Sequence, residues 1–114
     1  MLKIIKQKPE YTFYHLTDGK NIIYVEPQKY GGVNISSVHK PSREVGTGYM
    51  LHQGIELTRE VIQNCLHVVV PNWADNRMIK HTHKYETLEQ YLNYERQFYP
   101  DLTIEDVTIS DLIK

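Results

Sequence analysis

The stretch Tyr11-Thr12-Phe13-Tyr14-His15-Leu16-Thr17-Asp18-Gly19-Lys20-Asn21-Ile22-Ile23-Tyr24-Val25-Glu26 decides the fold class. Aromatic and β-branched residues crowd both halves, and such side chains suit the pleated, half-buried surface of a strand. Asp18-Gly19 between them is a hairpin signal, because a type I′ turn needs φ > 0 at both central residues. With these two at the tip, Leu16 pairs with Asn21, Tyr14 with Ile23 and Thr12 with Val25. The opposite face then carries Phe13, His15, Ile22 and Tyr24. Both faces are apolar, so the ribbon is expected to be covered on both sides. A second copy of the chain is one candidate cover, which makes a homo-oligomer the expected state.

Outward from the hairpin, Gln28 to Gly32 reads as a turn hinged on Gly31-Gly32. Val33 to His39 follows as a strand whose alternation slips at Ser36-Ser37, the mark of a bulge. Lys40 to Gly48 is a loop, and Tyr49 to His52 returns as a further strand stopped by Gly54. Consecutive strands tend to be neighbours, so the spacing predicts an antiparallel meander.

Two helices follow. Thr58 is placed to cap the first, with Leu57 and Ile62 forming a hydrophobic staple across the cap. Val61, Ile62, Cys65, Leu66 and Val69 recur at helical spacing. Val68-Val69-Val70 suits strand as well as helix, and Pro71 closes the segment. The second helix is predicted over 88–99, opened by the capping-box spacing Thr87-x-x-Gln90 and ended by Pro100. Beyond it Leu102, Ile104, Val107 and Ile109 form an ordered tail, as a short strand or one helical turn. Strands first and helices after give an α+β architecture: an antiparallel sheet of about four or five strands with two helices packed on it.

Length and composition fit this. A chain of 114 residues suits one domain, here 1–114, and 40% hydrophobic with 24% charged residues is globular rather than disordered composition. The single cysteine, Cys65, cannot form an internal disulfide, and the apolar run at Met1–Lys6 is too short for a secretion signal. A cytoplasmic location follows as the expectation. The net charge of −1 is unevenly spread: residues 1–84 hold 11 Lys/Arg against 7 Asp/Glu, and residues 85–114 hold 2 against 7. An acidic tail folding back on a mildly basic body accounts for this, as does a basic face turned towards an anion. Alanine occurs once, at Ala74, whereas Ile, Lys, Asn and Tyr abound, which indicates AT-rich coding.

Chemistry-bearing residues concentrate in two places. In 39–49, Gly46, Thr47 and Gly48 let a backbone approach a ligand closely, and turn N–H groups can form an anion nest. Lys40 and Arg43 add charge, while Ser42, Thr47 and Tyr49 add hydroxyl donors. The pattern is neither a P-loop nor a dinucleotide fingerprint, and an exposed hairpin turn would also use these glycines. The second place is Arg77 to Lys84, where Arg77 and Lys80 are basic. His81 and His83 there would share a face in an extended segment, as two metal ligands can. No third ligand stands at a recognised spacing; Cys65, His67, Glu86 and His52 are the imaginable ones, and no metal residue or cofactor is assigned. Cys65 on the apolar helix stripe reads as a small buried hydrophobe, and no serine lies in a nucleophile elbow. No catalytic residue is assigned. Tyr11, Tyr14, Tyr24, Tyr30 and Tyr49 gather in the β region, where tyrosine serves cores, interfaces or base stacking.

The expectation is therefore a small cytosolic binding or accessory protein holding an anionic ligand, a nucleotide or nucleic acid. Small size, AT-rich coding and the lack of a catalytic motif suggest a phage or other mobile element as its source. Lys40, Ser42, Arg43, Gly46, Thr47, Gly48, Tyr49, Arg77 and Lys80 would bind. The alternatives are a small metal-dependent enzyme using the histidines, and an interaction module acting through a tyrosine-rich β surface.

Overall fold

The structure, a computed structural model, describes residues 1–39, 49–67 and 87–113. Within them the chain forms β1 (Lys3–Lys6), β2 (Tyr14–Thr17), β3 (Ile22–Pro27), β4 (Val33–His39), β5 (Tyr49–Ile55) and α1 (Arg59–His67). Then come α2 (Leu88–Arg96), β6 (Thr103–Asp106) and α3 (Ile109–Leu112). All six strands join one antiparallel sheet in the order β5-β4-β3-β2-β1-β6. The α+β class and the meander stand, with more strands than expected. The additions are β1 and β6, which pair with each other at one edge.

The hairpin forms, but its register differs from the sequence expectation. Thr17 pairs with Ile22, Leu16 with Ile23 and Tyr14 with Val25, so the loop spans four residues rather than two. Asp18 causes this. Its carboxylate accepts from the N–H groups of Lys20 (2.9 Å) and Asn21 (2.8 Å), while Thr17 Oγ1 accepts from Gly19 N at 3.0 Å. The side chain thus draws Lys20 and Asn21 into the turn. Because the shift is two residues, each side chain keeps the face expected of it.

Both faces of the hairpin are covered by the chain's own helices. On one face Leu16, Ile23, Val25, Val33 and Ile35 meet Ile62, Cys65 and Leu66 of α1, with Ile109 and Leu112 of α3 alongside. On the other, Ile5 and Ile22 meet Tyr91 and Leu92 of α2. Leu16, Ile22, Ile23 and Val25 are each 0% exposed in the single chain, so the hairpin needs no second copy to cover it.

Local chemistry sets the helix starts. Thr58 Oγ1 accepts from Val61 N at 3.2 Å and Thr87 Oγ1 from Gln90 N at 3.2 Å, each relieving an orphan donor of the first turn. Leu57 and Ile62 pack in the same core, as a staple requires. Helix α2 ends at Arg96 rather than Tyr99, with Phe98 N and Tyr99 N both turning back to Glu95 O. The tail resolves into β6 and then α3, which has a full capping box between Thr108 and Asp111. Lys3 Nζ reaches Asp106 Oδ1 at 2.5 Å, so the acidic tail does fold back on the body.

The bulge in β4 lies one residue beyond Ser36-Ser37. Ile22 pairs with His39 and Ile23 with Ser37, leaving Val38 as the extra residue. Strand β5 continues through Gly54, whose N–H donates to Asn34 Oδ1 at 2.8 Å where the β4–β5 register slips. Among the described residues no helix is long and apolar enough to cross a membrane.

Candidate functional site

Most of the residues expected to hold an anion lie outside the described ones: Lys40, Ser42, Arg43, Gly46, Thr47, Gly48, Arg77 and Lys80. The same is true of His81, His83 and Glu86. Tyr49 is the first residue of β5, with its backbone opposite Ser37.

What is described is where the chain leaves and re-enters around these segments. Strand β4 ends at His39, opposite Ile22 at the tip end of the β2–β3 hairpin, and β5 begins two rungs away. The last residue of α1, His67, lies near enough to Asp18 in the hairpin turn for its charge to act on that carboxylate. Leu88, in the first turn of α2, packs in the cluster that contains Ile22 and Val38. Thus the described residues that flank 40–48 and 68–86 lie around one end of the sheet. At that end burial pushes Asp18 up, but hydrogen bonds from Asn21 and Lys20 and the charge of His67 outweigh it and hold it below its usual 3.8.

The other polar constellation is internal. Gln7, His15 and Tyr91 are buried together on the α2 face, at 5%, 6% and 0% exposure. Gln7 Nε2 donates to His15 Nδ1 at 2.9 Å, and the Tyr91 hydroxyl donates to the same nitrogen. An Nδ1 that accepts leaves the ring proton on Nε2. Burial drives the His15 pKa from 6.5 down to about 3, so the ring is neutral at ordinary pH. The Tyr24 ring stands 5.3 Å from His15 and 5.7 Å from Phe13, which in turn lies 4.4 Å from Tyr11. Burial, the hydrogen bond to Glu26 and the charges of Glu26 and Tyr99 raise Tyr24 to about 12. His15 and Tyr24 are thus both held neutral at ordinary pH. Sequence reasoning placed His15 on this face without seeing the site, because Gln7 and Tyr91 lie far from it in sequence. Its one local signal is a lone imidazole within an apolar face.

Tyr14, Tyr24 and Tyr30 do not share one surface. Tyr14 packs on the α1 side, Tyr24 belongs to the α2 side, and Tyr30 stands 93% exposed in the β3–β4 turn. Cys65 is buried in the α1 core, and His52 and His67 are exposed. Among the described residues no three His, Cys, Asp or Glu side chains come together as a metal site would require. An open cleft of about 380 Å³ lies beside β1 and β6, lined by Ile4, Lys6, Pro9, Thr103, Glu105, Asp106 and Val107. Its charges are of both signs.

No family model matches the chain, and no curated protein or solved structure is significantly similar to it.

Proposed function

We propose that the chain is a small binding protein for an anionic ligand, a nucleotide or nucleic acid, gripped by residues of 40–49 together with Arg77 and Lys80. The supporting observation is that His39, Tyr49 and His67, which flank these segments, surround one end of the sheet, with Leu88 packed close by. Segments whose flanking residues lie at one end of the sheet can bring Lys40, Arg43, Arg77 and Lys80 to a single ligand, although 34 to 40 positions separate the first two from the last two. Arginine suits that role because its fork matches phosphate oxygens in pairs. A cytoplasmic accessory protein of a phage or other mobile element would use such a site to hold nucleic acid or a nucleotide.

The test is direct titration of a nucleotide panel and short oligonucleotides against wild type and Arg43→Ala, with melting curves alongside. Binding by wild type, weakened by about 1.5–3 kcal/mol in Arg43→Ala, is the expected result for a lost charged hydrogen bond. Affinity for an oligonucleotide should also fall with added salt as counterions are released. No binding by wild type, or unchanged binding by Arg43→Ala, would leave the loop as a turn only.

A further inference from the structure

We propose that His15 is an acid-operated latch: protonating its ring releases α2 from the sheet while the α1 face stays folded. The two helices rest on separate cores. α1 is buried against Leu16, Ile23, Val25 and Ile35, and α2 against Ile5 and Ile22, on opposite faces of the same strands. Among the described buried residues, His15 alone can take up a proton and become a cation. Of these buried side chains, acid therefore charges one in the α2 core and none in the α1 core.

The contacts of His15 explain why charging it undoes docking. Its Nδ1 accepts from Tyr91 of α2 and from Gln7 just beyond β1; once protonated it can no longer accept, so both groups must reorient around a buried cation. The remaining ionisable neighbour is Tyr24 of β3, whose hydroxyl is bonded to Glu26 and which also feels Tyr99. No carboxylate among the described residues is hydrogen-bonded to His15 to stabilise its cation. The sign follows. The ring titrates near 6.5 when exposed and near 3 when docked, so docking is fully favoured above 6.5 and is lost as pH falls. Each pH unit between those values lowers the docking constant about tenfold. Once released, α2 has nine residues, too few to stay helical alone.

Two-dimensional ¹H–¹⁵N spectra of the full chain between pH 7 and pH 3 test this. The expected result is loss of dispersion for 88–96 at a pH where 59–67 and the β3–β4 amides keep their native shifts. His15→Asn offers an acceptor near the Nδ1 position and cannot be charged, so its α2 should remain docked at pH 4. Simultaneous loss of 59–67 and 88–96 in wild type, or no change down to pH 3, would overturn the latch. So would a His15→Asn profile matching wild type. If that variant does not fold, the wild-type profile alone decides.

Discussion

The Tyr91 hydroxyl donates to Nδ1 of His15 across 76 positions of sequence, joining α2 to an interior strand of the sheet. Both residues are buried, so neither can exchange this partner for water. A contrasting long-range contact is Lys3 with Asp106, which joins the two strands at the sheet edge with side chains 39% and 57% exposed. The first bond lies where an unmade hydrogen bond is costly. The second lies where water screens it.

Tyr91→Phe should therefore destabilise the fold by about 1–2 kcal/mol, within the range for losing a buried hydrogen-bond partner. The lower part of that range applies because Gln7 Nε2 still donates to His15. Urea unfolding at pH 7 should show a lower midpoint with an unchanged slope. An unchanged midpoint would mean the hydroxyl contributes nothing to docking.

Asp106→Asn should cost less than about 1 kcal/mol, as exposed ion pairs do. The same urea series, run at low and high salt, checks it. The small difference between wild type and variant should shrink further in salt. A loss larger than that of Tyr91→Phe would show that β6 depends on the pair rather than on its ladder with β1.

How much of this was legible in the sequence depended on whether the deciding chemistry was local. Thr58 and Thr87 cap helices where they were expected to, because a cap needs only its next three residues. The faces of the hairpin were read correctly, since period-two alternation fixes them. Its register was not, because Asp18 can serve either as a tip residue or as an acceptor for Lys20 and Asn21. Strand β1 is only four residues long and carries no local signature, while the tail's apolar residues allow a short strand but not its pairing with β1 across a hundred positions. The Gln7–His15–Tyr91 contact was illegible for the same reason. The residues expected to hold an anion carry only a chemical signal in the sequence, and apart from Tyr49 they lie outside the described residues.

Glycine replacements should separate backbone strain from steric conflict. Gly19 has φ 101° with open space where a Cβ would stand, so Gly19→Ala should cost about 1–2 kcal/mol from conformation alone. Gly32 has φ 73°, and its added Cβ would lie 2.9 Å from Ile55 O and 3.0 Å from the Gly54 carbonyl carbon. Those are backbone atoms of β5 and cannot rotate away. Gly32→Ala should thus cost more than Gly19→Ala, with the excess measured as a further drop in urea midpoint. Equal losses would mean that β5 gives way at its Gly54 bulge.

If segments 40–48 and 68–86 serve one ligand, Arg43 and Arg77 should be energetically coupled in binding. Their anchors, His39, Tyr49 and His67, share one end of the sheet, but that alone leaves open one site or two. A double-mutant cycle decides. Arg43→Ala and Arg77→Ala should each weaken binding of a nucleotide or oligonucleotide by about 1.5–3 kcal/mol. Residues that share a partner depart from additivity by about 0.5–3 kcal/mol, whereas independent sites add to within about 0.5 kcal/mol. On one phosphate-bearing ligand, the double variant should lose less than the two single losses together, because the second arginine contributes less once the ligand has shifted. Strict additivity on an oligonucleotide, with no effect of Arg77→Ala on a mononucleotide, would point to two separate contacts along a longer chain. Full affinity in the double variant would remove both arginines from the binding site.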